Sequence, residues 1–501
     1  MKFTLNCSLI FSKGLEGVDI QGLLRESSAV LAKGAPRGEG ARIARSELKD
    51  NRLDLMITSG RYVRPHDAVF RLKNFLSEKL GKSYHVGVRE IRADRYRIEF
   101  DVEREPKKKI SLPFAKRIEF DGKRCVLELQ NLDHEFLRRN YVDRMINLIN
   151  EKIEKQHYEG KGEHWELIWQ SKPKEPVWNK DPSREMERRG WIMHRGRGQW
   201  IFGPVVTKIM KTMEDIVVEK LLNPLNFDEV IIPKAVTWDV WKRSGHAKNL
   251  YGEIYYLCPP RSRDPGFWED VTDIYKITGE IPEKLIKEKI RGPIGGMCYA
   301  QCPPFWPYLE GKTIADESLP VKIFDRSGTS MRYESGGIHG IERVDEFHRV
   351  EIVWIGYPDQ VKKLHKEIVE HYRRIFNEIL DLEWRMAWVT PWFMAQEGLT
   401  GLIDEKREVG TIDFEAYLPY RGSREESEWL EFQNASNNGD KYPRGFNVKS
   451  QGREQLHSGC TGIGLERWVV AFLAQKGLDP ENWPKGFRKR LGELPPEIKF
   501  L

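Results

Sequence analysis

Met331-Arg332-Tyr333-Glu334, a Gly-rich reversal over Ser335-Gly336-Gly337-Ile338-His339-Gly340, and then Arg343-Val344-Asp345-Glu346-Phe347-His348-Arg349-Val350-Glu351 decide the reading of this chain. Arg332 and Glu334 stand two apart, so on a strand both side chains face the same way. The reversal predicts a hairpin whose second strand carries Arg343, Phe347, Arg349 and Glu351. Guanidinium groups aimed from such a hairpin grip phosphate oxygens in pairs, and an aromatic ring beside them offers a face to a purine. An isolated R-x-E is most often an ordinary charged hairpin, but this longer string restricts the choice much further.

Two further stretches flank it in a fixed order. Upstream, Gly203 to Leu222 reads as an amphipathic helix with Val206, Ile209, Met213, Ile216, Val217 and Leu221 on one stripe. The apolar strand Val230-Ile231-Ile232 then runs into Pro233. Downstream, Gly459-Cys460-Thr461-Gly462-Ile463-Gly464-Leu465-Glu466-Arg467 opens the amphipathic stretch Trp468 to Lys476, with Arg467 in its first turn. Each pattern alone is common. Together, in this order, they resemble motifs 1, 2 and 3 of the class II aminoacyl-tRNA synthetases, with motif 2 in its seryl form.

Six cysteines in 501 residues, and no signal segment at the amino terminus, point to a reducing compartment rather than a disulfide framework. No run approaches the ~18 apolar residues of a membrane span, so a soluble cytoplasmic protein is expected. Cys298-x-x-x-Cys302 taken alone is weak evidence for a metal. In the class II fold, however, Cys302, Glu351 and Cys460 converge on the amino-acid pocket. Two thiolates and a carboxylate give three protein ligands with one tetrahedral position open, the pattern of a catalytic zinc. The whole chain, beyond these motifs, resembles the atypical seryl-tRNA synthetases of methanogenic archaea. That resemblance implies Zn2+ held by Cys302, Glu351 and Cys460, with the serine amine at the open position; Cys258 and Cys298 are left as structural thiols. Threonyl enzymes instead ligate zinc through histidines, and Glu351 and Cys460 stand where those would be wanted.

Adenylate formation needs charge neutralisation and positioning rather than a side-chain nucleophile. By resemblance, Arg332 bridges the serine carboxylate and the α-phosphate, Glu334 holds the adenine amino group and Phe347 stacks on the ring. Arg343 and Arg467 clamp the triphosphate tail, and Tyr333 and Val344 complete the ATP set. Glu431 is the Mg2+ ligand of a polar stretch, Glu431 to Asn437, in which Asn434 and Ser436 meet the serine hydroxyl. Ala300, Arg349 and Val350 line the serine pocket with Glu351. Trp392, in the segment Thr390 to Glu405, belongs to a loop that covers serine in the family.

Residues 1–165 read as an N-terminal α+β domain. Its strands are expected near Phe3 to Leu9, Leu53 to Thr58, Tyr84 to Val88, Tyr96 to Val102, Ile110 to Ile118 and Cys125 to Leu129. Its helices are expected at Gly17 to Lys33, Pro65 to Leu80 and His134 to Gln156. Residues 166–501 read as a class II catalytic domain, an antiparallel sheet flanked by helices, with a helix-turn-helix insertion near 261–293 that in the family supports dimer contacts. Residues 1–160 hold 32 Lys and Arg against 24 Asp and Glu, a balance of +8, whereas the remainder holds 50 against 52, or −2. Lys107-Lys108-Lys109, Lys116-Arg117, Arg138-Arg139 and Arg144 are the candidate phosphate contacts. The expected protein is a homodimeric serine–tRNA ligase acting on tRNA(Ser), L-serine and ATP, with tRNA(Sec) left open as a second substrate and neither DNA nor membrane among its partners. The rival readings are an amino acid:carrier-protein ligase and a non-catalytic tRNA-binding paralogue.

Overall fold

A computed structural model describes residues 1–157, 164–334, 337–390, 409–425 and 427–498. The chain divides into two compact units, Met1–Gly160 and Lys161–Leu501. The boundary falls before residue 165, because Trp165 already opens a strand, Trp165–Gln170, of the second unit's main sheet.

The first unit is a six-stranded antiparallel sheet in the order Arg42–Lys49, Arg52–Ser59, Lys2–Phe11, Val88–Asp101, Arg124–Leu132, Ala115–Asp121. Alternation puts Phe3, Leu5, Cys7 and Leu9 on the buried face together with Leu53, Leu55, Ile57, Tyr96 and Ile98. Helix Pro65–Tyr84 starts on a proline, where no N–H is missed, and buries Ala68, Val69, Leu72, Leu76 and Leu80 at helical spacing against this sheet. Several elements differ from the sequence reading: the strand expected at Ile110 to Ile118 runs Ala115–Asp121, and the helix expected at His134 to Gln156 is split into His134–Arg138 and Tyr141–His157. Tyr84 ends the helix Pro65–Tyr84, with His85 left-handed at φ 53°, so the strand begins only at Val88. The 17–33 stretch forms two short helices, Ile20–Glu26 and Ser28–Ala32. Arg42–Lys49 is an edge strand of mostly polar residues, whose pattern carried no strand signal.

The second unit is built on a nine-stranded sheet. Its main path is Asp228–Glu229, Val321–Asp325, Glu346–Gly356, His457–Gly464, Leu430–Gly439, Gly410–Ala416, Trp384–Val389, Trp165–Gln170, and Thr329–Met331 pairs with Glu346–Gly356 beside it. All pairs are antiparallel except Asp228–Glu229 with Val321–Asp325. Helix Pro204–Val217 continues through a wider turn over Val218–Leu222, and its stripe packs with helices Pro358–Arg374 and Leu465–Lys476 in the central core. The strand expected at Val230–Ile232 lies two residues earlier. Val230 N–H still bonds Phe324 O, but Ile232 N–H turns to the Asp325 carboxylate, so the ladder ends there. The insertion holds helices Glu269–Thr278 and Glu283–Lys289, and neither buries a single residue. Ile277 is 82 % exposed. Among the described residues no helix is long and apolar enough to cross a membrane.

Candidate active site

The central strand Glu346–Gly356 organises the site. Its neighbour Thr329–Met331 ends just before Arg332, so Arg332 and Glu334 lie on an extended connection rather than on the strand expected for them. Asp345 fixes that connection. Its carboxylate is fully buried and accepts hydrogen bonds from Glu334 N–H at 2.9 Å, Arg197 Nη1 at 2.5 Å and the Tyr255 hydroxyl, while its carbonyl accepts Arg332 N–H. Arg197 also donates to Glu334 O and lies 3.7 Å over the Tyr333 ring. Spacing alone gave no signal for Asp345 or Arg197.

A cavity of about 300 Å³ opens on this side of the sheet. One end carries three arginines, each beside a carboxylate: Arg332 with Glu253 at 3.2 Å, Arg343 with Glu428 at 3.6 Å and Arg467 with Glu431 at 3.0 Å. Arg467 also donates to the carbonyls of Glu342 and Glu431, which aims it from the first turn of its helix. Glu334, Val344 and Phe347 line the same end. Glu253 was missed in the sequence because it lies some eighty residues from Arg332 with no motif to announce it.

At the other end Cys302, Glu351 and Cys460 come together, their Sγ and carboxylate atoms all within 4.8 Å of one another. Three distant segments supply them: the turn before Pro303–Tyr308, the central strand, and the strand His457–Gly464 paired with it. Glu351 is fully buried, and burial pushes its carboxyl up to about 7, against the pull of Arg349 and Lys234. Arg349 Nε lies 2.7 Å from Glu351 Oε2 but off the N–H direction, so neither carboxylate oxygen has a hydrogen-bond donor among the described residues. The Cys460 thiol is pushed well up by its hydrogen bond with Cys302 and by burial. Two soft sulfurs and an orphaned buried oxygen at this spacing fit a four-coordinate zinc with bonds of about 2.0–2.3 Å. A cation would reverse both shifts by holding the charged forms.

Ala300, Arg349, Asn434 and Ser436 line the cavity near this cluster, and Ser436 Oγ is 2.8 Å from Thr411 Oγ1. Arg349 can lie there because it crosses Gly462, where a Cβ would fall inside the guanidinium. Cys298 is buried and donates to Ala300 O, and it is not one of the three clustered ligands. Two expected site residues do not face the cavity. Strand alternation turns Val350 into the central core, between the cavity-facing Arg349 and Glu351. Tyr333 points out of the cavity toward Arg197 and Tyr255. Trp392 lies outside the described residues.

Comparison with known proteins gives the family of the chain. Residues 1–151 match the tRNA-binding domain family, and residues 300–476 match the tRNA synthetase class II core domain (G, H, P, S and T). A type-2 serine–tRNA ligase of Methanococcoides burtonii is 55% identical over 97% of this chain and 96% of its own length. That of Methanothrix thermoacetophila is 53% identical over the whole of both. The chain belongs to the type-2 serine–tRNA ligases. A solved seryl-tRNA synthetase of M. kandleri, crystallised with A. aeolicus tRNASec, superposes on all of this type-2 ligase and 99% of its own chain, at TM-score 0.90 and 32% identity. The matched core runs from Ala300 through the helix Leu465–Lys476, which carries Arg467.

Proposed function

We propose that this ligase activates L-serine with ATP on a site completed by zinc and Mg2+, and transfers the seryl group to tRNA(Ser). The observation that carries the proposal is the pairing of two ends of one cavity, a Cys302–Glu351–Cys460 cluster and an Arg332–Arg343–Arg467 set. Cys302, Glu351 and Cys460 would hold the zinc ion, which when bound would supply a Lewis acid for the serine amine. Arg332 then holds the serine carboxylate against the α-phosphate by giving up Glu253 for these anions. A carboxylate oxygen attacks the α-phosphorus, the bond to the β-phosphate breaks, and pyrophosphate leaves. Arg343 and Arg467 neutralise the departing charge as planar forks. Glu431, released from Arg467, would hold Mg2+, which when bound would offset the phosphate charge. Glu334 and Phe347 seat the adenine. A hydroxyl at the tRNA 3′ end next attacks the seryl carbonyl, and AMP leaves.

Charge and exposure support the partners. The basic first unit carries Lys107, Lys108 and Lys109 exposed on one loop, suited to RNA phosphates. The unburied insertion helices, with Ile277 and Ile281 in solvent, suit a second copy of the chain, and we assign the homodimer contact to them. We place the reaction in the cytoplasm, with tRNA(Sec) as a further substrate class for the same assay. The test is charging of total archaeal tRNA with labelled serine, with threonine and glycine in parallel. Serine charging that a zinc chelator removes is expected. Serine-dependent pyrophosphate exchange without charging would point instead to a carrier-protein ligase, and silence in both to a non-catalytic paralogue.

A further inference from the structure

Behind the three cluster residues lies a second layer of polar groups, one for each. Arg349 faces Glu351, as described. Asn438 Nδ2 lies 3.3 Å from Cys460 Sγ, and the Tyr442 hydroxyl lies 3.4 Å from Cys302 Sγ. Both side chains are more than nine-tenths buried, with residue exposures of 4 and 3 %.

Local structure forces each of them into place. Asn438 is the extra residue of a β-bulge: Asn437 pairs with Gly459 and Gly439 with Ser458, so two steps on one strand face one step on the other. A bulge re-aims the residue it inserts. Here it turns Asn438 to the cavity side, toward the sulfur of the neighbouring strand. Tyr442 sits on the short helix Lys441–Gly445, and its ring is stacked between Trp306, at 5.5 Å and 22°, and His246, at 6.3 Å and 13°. Burial lowers the His246 pKa to about 3, so it is neutral and brings no cation to the cluster. Two aromatic faces and a bulge together hold two donors on two sulfurs.

We propose that Asn438 and Tyr442 are positioning residues for the metal, donating hydrogen bonds to the Cys460 and Cys302 thiolates and so setting how tightly this site holds zinc. The inference rests on the zinc reading above. A neutral thiol gains little from these donors, but a metal-bound thiolate has excess charge that they spread and an orientation that they fix. Asn438 carries the more specific task, because an amide N–H2 only donates.

The test uses Tyr442→Phe and Asn438→Leu in the full-length protein, with Cys302→Ala as the reference for a lost ligand. Zinc affinity is measured by competition with a chromophoric chelator, and folding by circular dichroism. Tyr442→Phe keeps the stacked ring, so a folded variant is secured even where Asn438→Leu disturbs the bulge. The expected result is zinc affinity about 10- to 100-fold weaker in each variant, with Cys302→Ala weaker still. Wild-type binding with loss in Cys302→Ala, but unchanged affinity in a folded Tyr442→Phe and Asn438→Leu, overturns this inference and leaves the zinc site standing. Failure of the wild-type protein to bind zinc at all overturns both.

Discussion

Gly462→Ala separates packing from chemistry in this site. Gly462 stands opposite Glu351 in the strand register, and the Arg349 side chain crosses its α-carbon on the way to the Glu351 carboxylate. An added methyl group occupies the space of the guanidinium. The clash is with the far end of a flexible side chain, so the strand keeps its place and Arg349 moves. Glu351 then loses the cation 2.7 Å away that offsets its burial. Removing one partner of a buried pair costs about 3–5 kcal/mol. Arg349 keeps a fifth of its side chain exposed, so the lower end applies. Because the cost falls on the ionised Glu351 that the proposed metal site requires, about 3 kcal/mol is roughly two orders of magnitude in forming that site at 1.4 kcal/mol per decade. Serine-dependent ATP–pyrophosphate exchange should show kcat/KM for serine falling about 100-fold, with KM for ATP little changed. Gly464→Ala, whose Cβ meets open space, is the control for the strand and should keep the wild-type Tm. Serine kinetics in Gly462→Ala within threefold of wild type would refute the role given to Arg349.

Other perturbations read different parts of the molecule. Cys302→Ala or Cys460→Ala should reduce zinc content, measured by atomic emission, and abolish serine activation; full activity in a zinc-free variant would sink the metal assignment. Replacing Lys107, Lys108 and Lys109 together with Ala should raise KM for tRNA several-fold and spare adenylate formation, whereas equal loss in both steps would mark damage to the fold. Glu substituted at Ile277 and Ile281 should shift the protein from dimer to monomer in sedimentation, and an unchanged dimer would place the interface elsewhere. His348 donates to the buried Glu466, and this bond raises its pKa above the ordinary 6.5. The stabilisation is therefore complete below pH 6.5 and lost as pH rises through the raised value. The Tm gap between wild type and His348→Asn should narrow from pH 6 to pH 9, and a gap that widens would contradict the pairing.

The sequence was most legible where one residue type can do one job at a fixed spacing. Arg332, Arg343 and Arg467 stand around one cavity, and Cys302, Glu351 and Cys460 meet at its other end, though nothing in their spacing says that residues 302 and 460 touch. That came from likeness to a family. Val350 was grouped with Arg349 and Glu351, although alternation turns it to the opposite face. Asp345, Asn438 and Tyr442 were silent because burial and register give them their tasks, and neither is written in composition. Arg42–Lys49 escaped for a related reason: an edge strand with water on one side need not alternate cleanly.

The central strand Glu346–Gly356 carries Phe347, Arg349 and Glu351 on successive cavity-facing positions. Its rise of about 3.3 Å per residue makes it a ruler, with some 13 Å between Phe347, proposed to seat the nucleobase, and Glu351, proposed to hold the metal. One covalent backbone thus sets the length of the molecule that fits between them. A one-residue insertion there would exchange the two faces and bury the wrong set, and a two-residue insertion would keep the faces but stretch the gauge by about 7 Å. Substitution can tune this strand residue by residue, but its length is closed to change.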